Sequence, residues 1–201
     1  ALGSLPVYAF QVITVPEDVY AVNLTNVIHL VPGESGKVQL STAPDSSGII
    51  RRIEVLPTTA GSNPKWGLFA LKNDSDQQIE RLLVAPFFRL PGSGIFNPDL
   101  GNNRIRALTT SQGIHPTRVN DAEADVFDVT VDPGATITFV AELSSDTLPA
   151  VYMWKPDAYR DYVNSFTLFR GVVLGISSLA AVFLTIMFAV KGRGIFPATA
   201  A

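Results

Sequence analysis

Apolar and polar side chains alternate over many short segments before Pro156, with the period of two that is typical of β-strands. In the segment ATITFVAEL, every second residue from Ile137 onward, including Phe139, lies on one apolar face of the predicted strand. Thr138 and Glu142 lie on the opposite face. This alternation predicts a half-buried strand. The segment ADVFDVTV places Phe127 and two valines on one face in the same way. No stretch in this part of the chain has a helical period, so the pattern predicts a β domain.

Turn residues separate the predicted strands at short intervals. Asp132-Pro133-Gly134 lies between the two strands above and predicts that they form a hairpin. Further strand segments are KVQL, RRIEV, KWGLFALK, IERLLVAPFF, NRIRALT and AVYMW, with PVYAFQVITV and NVIHLV near the start. Several short strands with regular turns predict a mainly β fold over residues 1–153. We expect an antiparallel two-sheet sandwich of the jelly-roll or the immunoglobulin-like kind.

The C-terminal part has a different pattern, because residues 171–190 contain no charged side chain. A helix of this length is about 30 Å long, which matches the hydrocarbon core of a bilayer. Helices of soluble proteins are rarely apolar on all sides for so long. We therefore predict a single transmembrane helix over residues 167–190. A helical join is expected over 154–166, and residues 191–201 are a short tail or the lead into a further helix.

The distribution of charge predicts the orientation of this helix. Lys191 and Arg193 directly follow the apolar run, and the positive-inside rule places that end in the cytoplasm. Residues 1–165 are then periplasmic or extracellular, and they carry 12 Lys and Arg against 18 Asp and Glu. This acidic balance argues against nucleic acid as a partner. The chain has no cysteine, which excludes disulfides and cysteine nucleophiles.

Two groups of residues are predicted to act in or beside the membrane. The predicted interface anchors are aromatic and basic side chains at the two ends of the helix, namely Trp154, Tyr159, Tyr162, Arg170, Lys191 and Arg193. The alternative for Trp154 is a place in the sandwich core. Small residues that predict close packing against another helix are Gly171, Gly175 and Ser178. The alternative is chance, because glycine is frequent in transmembrane helices.

Residues for catalysis or cofactor binding do not form a recognisable arrangement. His29 and His115 are far apart and have no carboxylate at ligand spacing, so no metal site is expected. The acidic segment DAEAD at 121–125 lacks the spacing of a calcium loop, and a solvated loop is the simpler interpretation. No nucleophile, base and orienting group can be assembled. We therefore expect no enzyme activity and no cofactor for this chain.

Aromatic residues give one weak indication of ligand binding. Trp66, Phe87, Phe88 and Phe96, with Arg89 nearby, are candidates to line a groove for a sugar or another small ligand. The alternative is that the aromatic side chains belong to the core. The two interpretations differ in a measurable property, because the groove requires Trp66 to be exposed to solvent.

Four segments of the chain resemble the N-terminal region of a family of alphaproteobacterial membrane signalling proteins. They are GIIRRIEV, WGLFALKNDSDQQIERLLVAPFFRLPGSGIFNPDLG, DVFDVTVDPGATITFVAEL and YMWKPDAYRDYVNSFTLFRGVVLGI. The resemblance covers residues 38–201. It implies a periplasmic β domain before several transmembrane helices, followed by cytoplasmic GGDEF and EAL domains that make and hydrolyse cyclic di-GMP. The architecture is also similar to the sensor regions of bacterial seven-helix receptors with extracellular β modules.

Two functions are expected from these observations. The first is a membrane-anchored sensory or interaction module that resembles the input region of a cyclic di-GMP signalling protein, as part of a longer receptor or as a shortened relative. The second is a single-pass accessory subunit that docks into a larger membrane complex through its helix. No GGDEF or EAL motif lies in the 201 residues, so no catalytic residue of that family can be assigned. The expected partners are the lipid bilayer, other transmembrane helices and a periplasmic ligand or protein.

Overall fold

The computed structural model describes residues 11–32, 36–89, 97–98, 104–144 and 150–191, without the side chains of 88, 89, 97, 98 and 191. These residues contain fourteen strands and one helix. The strands are β1 (Val12–Thr14), β2 (Ala21–Asn23), β3 (His29–Pro32), β4 (Val38–Ser41), β5 (Arg52–Val55), β6 (Lys65–Lys72), β7 (Ile79–Pro86), β8 (Phe88–Arg89), β9 (Asn97–Pro98), β10 (Ile105–Thr110), β11 (Thr117–Val119), β12 (Ala124–Val131), β13 (Thr136–Leu143) and β14 (Tyr152–Trp154). The helix is α1 (Pro156–Lys191).

Two five-stranded sheets form the sandwich that the alternating pattern predicts. The first sheet has the order β1-β6-β13-β10, with β3 also paired to β6, and the second has the order β11-β12-β7-β14-β2. β3 pairs antiparallel with the first half of β6, whereas β1 pairs parallel with its last residues. The chain crosses repeatedly between the sheets, since β6 and β13 lie in the first and β7, β12 and β14 in the second. The predicted two-sheet sandwich followed by a helix is confirmed.

The turn after β12 does not close the predicted hairpin. The turn itself forms, because Ala135 N donates to Asp132 O at 3.0 Å and Gly134 adopts a φ of 66°. However, β12 pairs with β7 and β11, and β13 pairs with β6 and β10. The turn therefore connects the two sheets. The physical reason is burial, because Phe127 and Phe139 face a common core from opposite sheets instead of lying side by side in one.

A second apolar core makes the first sheet buried on both faces. It contains Val31, Val38, Leu40, Trp66, Leu68 and Val140, with Ile53 and Val55 packed against it. The β4–β5 hairpin supplies four of these residues and covers the outer face of the sheet. The prediction of a half-buried β13 is therefore wrong. Its polar Thr138 and Glu142 are each 1% exposed, and they lie on the face beneath this hairpin.

Residues 156–191 form one uninterrupted helix. Pro156 is its first residue and Asp157 lies in its first turn, where a carboxylate suits the helix dipole. The hydroxyl groups of Ser177 and Thr185 each donate to the carbonyl four residues earlier at 2.8 Å, so they need no water. By length and composition this helix can cross a membrane. The chain divides into a β domain that ends at Pro156 and a second unit that contains the helix.

Candidate functional site

A cavity of about 370 Å³ opens beside the turn that joins β11 to β12. The volume is within the range of small-molecule sites, roughly 300–1,000 Å³. Strand β11 and the first residues of β12 provide one side, and the residue directly after β7 provides the other. The lining residues are Phe87, Arg118, Val119, Asn120, Asp121, Ala124 and Asp125.

Asp125 is a buried carboxylate that holds this end of the sandwich together. Its Oδ2 accepts hydrogen bonds from Arg104 N at 2.6 Å and from Ile105 N at 3.0 Å, at the start of β10 in the opposite sheet. Its Oδ1 accepts a hydrogen bond from Nη2 of Arg118 in β11. One side chain thus ties β10, β11 and β12 to each other. The position follows from the alternation, because Asp125 has the same parity as Phe127 and lies on the core side of β12.

Two arginine side chains lie over phenylalanine rings at this end of the sheet. The Arg118 guanidinium lies 5.3 Å from the ring centre of Phe127, and the Arg104 guanidinium lies 5.4 Å from that of Phe87. Nη2 of Arg104 also donates to Phe87 O at 3.0 Å. These contacts fix both planar cations against an apolar surface. One side of the cavity is therefore held in place by contacts within the protein. The side chain of Arg118 remains 38% exposed.

The cavity lies at the end of the second sheet away from the point where the chain leaves that sheet. Phe87 directly follows β7, whereas Trp154, the last residue of β14, pairs with Leu82 in the middle of β7. Five residues of strand correspond to about 16 Å. Strands β11, β12, β7 and β14 are consecutive neighbours in this sheet. The strands that line the cavity and β14 thus belong to one hydrogen-bonded sheet.

A second buried carboxylate fixes the loop after β5. Glu142 Oε2 accepts hydrogen bonds from Thr58 N at 2.8 Å and from Thr58 Oγ1 at 2.6 Å. Its Oε1 lies 3.5 Å from Nη1 of Arg106, which also donates to Thr59 Oγ1 at 3.3 Å. The loop thus satisfies Oε2, whereas the buried Oε1 has no hydrogen-bond partner among the described residues and only the ion-pair contact to Arg106. Glu142 is therefore a structural residue.

Among the residues that the structure describes, three ionisable groups have a shifted pKa. A hydrogen bond from Gln39 lowers the pKa of Glu54, with Lys37 as a second cause. A hydrogen bond from Lys72 lowers the pKa of Asp74. Burial lowers the pKa of Arg81, while Glu17 partly opposes this. None of the three lines the cavity, so their shifts concern stability and not ligand binding.

The described residues contain no group of three or more His, Asp or Glu side chains that could hold a metal ion. In the segment 121–125, Asp121 Oδ1 accepts a hydrogen bond from Glu123 N at 2.8 Å. Asp125 is already bound by two backbone N–H groups and by Arg118. These carboxylates stabilise the turn and the sandwich.

Comparison with known proteins was made for the whole chain. A family model described as 7TMR-DISM extracellular 2 matches residues 30–155 of the 201. The chain belongs to this family. Comparisons with curated proteins and with solved structures gave no match.

The 7TMR-DISM extracellular 2 family is typical of bacterial membrane signalling proteins. Membership makes the β domain an extracellular module of sensory type in a membrane protein. The matched residues run from β3 to the residue after β14, so they include every residue of the cavity and end before the helix. Similarity of the architecture to seven-helix receptors with extracellular β modules is confirmed. The link to GGDEF and EAL domains stays a prediction.

The groove predicted from the aromatic residues loses its central member. Trp66 is 1% exposed because the β4–β5 hairpin covers it, so an aqueous ligand cannot reach its ring. Phe96 lies outside the described residues, and so do the side chains of Phe88 and Arg89. Phe87 does line a cavity, but with partners from β11 and β12. Arg118 and Asp125 were missed, although a carboxylate on the core side of an alternating strand is a signal for a buried ion pair.

The predicted membrane residues lie on or directly before the helix. Trp154 is half-buried at the end of β14. The rings of Tyr162 and Phe166 are stacked with centroids 6.4 Å apart, and the Arg170 guanidinium lies 5.3 Å from the Phe166 ring. Tyr159 lies in the first turns of the helix. The anchor role of these residues stays a prediction, as does that of Lys191 and Arg193, whose side chains lie outside the described part of the chain.

The small residues of the helix leave an open strip on its surface. Nothing lies within 4 Å of a Cβ atom built on Gly171 or on Gly175. Ser178 is exposed and follows on the same face of the helix. Close packing of this strip against another helix stays a prediction.

Proposed function

We propose that this chain is the extracytoplasmic input region of a membrane-bound signalling protein and has no catalytic site of its own. The observation that carries this proposal is the family match to an extracellular receptor module, directly followed by an apolar helix of 36 residues. A module of this kind detects a ligand or a protein outside the membrane. The helix then carries the change across the bilayer.

The finer parts of the proposal come from the sequence. The four long segments that resemble alphaproteobacterial signalling proteins support a cytoplasmic output that makes or hydrolyses cyclic di-GMP. Lys191 and Arg193 after the apolar run support a bacterial inner membrane with the C-terminal end of the helix in the cytoplasm. The net acidic β domain supports a periplasmic partner other than nucleic acid.

Signalling requires that the ligand bind two arrangements of the domain with different affinity. In this proposal the second sheet transmits the conformational change from the ligand to the helix. Its strands β11 and β12 border the cavity, and its strand β14 ends two residues before the helix. A ligand that changes the position of β11 relative to β12 acts on a set of paired strands. A difference in affinity of about tenfold between the two arrangements would shift their populations by the same factor.

The test is the intact mass of the native protein from its own membranes, together with the reading frame beyond Ala201. We expect a mass well above the 21.6 kDa of these residues, with further helices and a GGDEF or EAL region. Turnover of cyclic di-GMP by the purified full-length protein would then be measured in lipid. A native mass near 21.6 kDa would overturn the proposal.

The second candidate function is an accessory subunit of a larger membrane complex. The open strip at Gly171 and Gly175 favours it, because small residues four apart let two helices approach closely in lipid. This function predicts stable co-purification with a partner in mild detergent. Substitution of Gly175 by Leu should reduce that co-purification, whereas Val173→Ala on the opposite face of the helix should not.

A further inference from the structure

Three isoleucines with exposed side chains lie on two turns of the β domain. Ile49 and Ile50 are 53% and 57% exposed in the turn between β4 and β5. Ile114 is 60% exposed in the turn between β10 and β11. Isoleucine is normally buried, so a group of exposed isoleucines indicates a surface that makes contact with an apolar partner. We call these three residues the isoleucine patch.

Both turns that carry the isoleucine patch are fixed to the same residue of β13. Thr138 Oγ1 accepts a hydrogen bond from Ala43 N at 2.9 Å, at the start of the β4–β5 turn. Thr138 O accepts a hydrogen bond from Ser111 N at 2.8 Å, at the start of the β10–β11 turn, and Thr138 N donates to Ser111 Oγ at 3.2 Å. The two turns are therefore neighbours, and the isoleucines that they carry belong to one surface.

Two arginines directly follow the apolar pair of the β4–β5 turn. The side chain of Arg51 is 66% exposed, and its contact to Asp45 Oδ2 is long, at 3.6 Å. Arg52 is also exposed, at the start of β5. An apolar tip with guanidinium groups at its rim suits the boundary of a phospholipid layer, where phosphate groups lie above the acyl chains.

The isoleucine patch lies at the end of the sandwich from which the chain continues into α1. In the first sheet, Thr138 pairs with Ala70, near the end of β6. Only residues 73–78 connect the end of β6 to the start of β7, so these two strand ends lie at the same end of the sandwich. In the second sheet, Trp154 pairs with Leu82, the fourth residue of β7, and α1 begins two residues later.

The length of α1 allows this end of the β domain to reach the bilayer surface. A helix of 36 residues is about 54 Å long, whereas a bilayer with its head groups is about 40–45 Å thick. A tilt of about 35–40° from the membrane normal, within the range of known membrane helices, fits the whole helix into that thickness. The first residue of α1 then lies at the level of the outer head groups.

Two other occupants suit the isoleucine patch less well. A second copy of the chain in a two-fold dimer would present the same patch, and Arg51 and Arg52 would then face the arginines of that copy. A small ligand would need a cavity, and the cavity described above lies at the other end of the second sheet. A phospholipid surface satisfies both the apolar and the basic side chains.

We propose that the isoleucine patch inserts into the outer surface of the phospholipid bilayer that α1 crosses. The isoleucine side chains lie among the upper acyl chains, and the guanidinium groups of Arg51 and Arg52 donate to lipid phosphates. This contact holds the β domain against the membrane. The inference goes beyond the proposed sensory function. It rests only on the crossing of the membrane by α1, and on no ligand or cytoplasmic domain.

The experiment measures lipid contact of the full chain in phosphatidylcholine nanodiscs. The chain has no cysteine, so one introduced cysteine carries a fluorescent label at a single position. Ser46→Cys places the label on the exposed β4–β5 turn, and Ala60→Cys places the control label on the exposed loop between β5 and β6, at the opposite end of the sandwich. A nitroxide on the lipid head group quenches labels at the membrane surface. We expect a loss of fluorescence at position 46 and none at position 60.

Three variants, each with the label at position 46, assign the contact to the isoleucine patch. Ile50→Ser combined with Ile114→Ser should lower the ratio of docked to undocked domains at least about tenfold, since both apolar side chains are lost from the bilayer. Arg52→Glu should lower this ratio at least about twofold, because a carboxylate then lies beside the lipid phosphates. Leu56→Ser removes a side chain that is 67% exposed at the opposite end of the sandwich and should change nothing.

The proposal is overturned if the two labels are quenched alike, or if the double isoleucine variant behaves like Leu56→Ser. An unquenched label at position 46, with energy transfer between labels when two chains share a nanodisc, would also overturn it and would assign the patch to a second copy. A chain whose helix does not cross the membrane would fail to elute with the nanodiscs at all. The intact mass and the cyclic di-GMP measurement depend on none of these results, so failure of the membrane contact is distinguishable from failure of the sensory function.

Discussion

Replacement of Asp125 by Ala is expected to destabilise the β domain strongly. The side chain is 1% exposed and accepts hydrogen bonds from Arg104 N, Ile105 N and the Arg118 guanidinium. Each buried N–H group that loses its acceptor costs about 1–3 kcal/mol. The pair with Arg118 adds less than about 1 kcal/mol, because Arg118 is partly exposed and regains water. The sum is a loss of about 2–7 kcal/mol in the free energy of unfolding.

Asp125→Asn separates the charge from the hydrogen bonds. Its amide oxygen can still accept from the two backbone N–H groups, but its NH₂ group then faces the donors of Arg118. We expect this variant to lose about 1–2 kcal/mol. Asp132→Asn is the matched control, because Asp132 is an exposed turn residue that accepts from Gln78 Nε2 at 2.7 Å. A surface change of this kind should stay within about 0.5 kcal/mol.

The assay is urea unfolding of the full chain in detergent, in a Trp154→Phe background, followed by the fluorescence of buried Trp66. The midpoint should fall most for Asp125→Ala, less for Asp125→Asn, and hardly at all for Asp132→Asn, with equal slopes. A loss below about 1 kcal/mol for Asp125→Ala would refute the reasoning, because the two backbone N–H groups would then have another acceptor. Equal losses for the Ala and Asn variants would show that the charge matters and the backbone contacts do not.

Three further predictions concern other parts of the chain. In a Trp154→Phe background, Trp66 fluorescence should be inaccessible to iodide, and Trp66→Ala should cost about 3–5 kcal/mol; strong quenching would contradict the second core. The lowered pKa of Glu54 means that its contribution to stability is present above its ordinary value of 4.5 and is lost as the pH falls through the lower pKa of the folded protein. Glu54→Gln should therefore reduce the pH dependence of the free energy of unfolding below pH 4.5. An unchanged curve would exclude a contribution of the Glu54 carboxylate to stability. Gly175→Leu should reduce energy transfer between labelled helices in nanodiscs, and undiminished transfer would exclude packing at this glycine.

The strands and the helix could be predicted from the sequence because their patterns are local. Alternation over KVQL and ADVFDVTV depends only on neighbouring residues, and the structure has β4 and β12 in these segments. The uncharged run after Gly171 is likewise a property of one segment, and it lies in one helix. Local patterns fix which residues share a face.

Strand pairing could not be predicted, because it depends on residues distant in the sequence. The turn Asp132-Pro133-Gly134 has the composition of a hairpin turn, yet it connects β12 and β13 across the core. The same limit applies to Trp66, whose burial is completed by the β4–β5 hairpin. The cavity combines Phe87 with residues 118–125, which no local pattern places together.

The charged residues of this domain differ in how far they are buried and in what they contact. Glu142 and Asp125 are fully buried, and one carboxylate oxygen of each accepts two hydrogen bonds from backbone or hydroxyl donors of another segment. Arg118 differs from both, because one side of its guanidinium is fixed by Asp125 while the side chain remains partly exposed at the cavity. A cation held rigidly from behind loses little entropy when it binds a ligand.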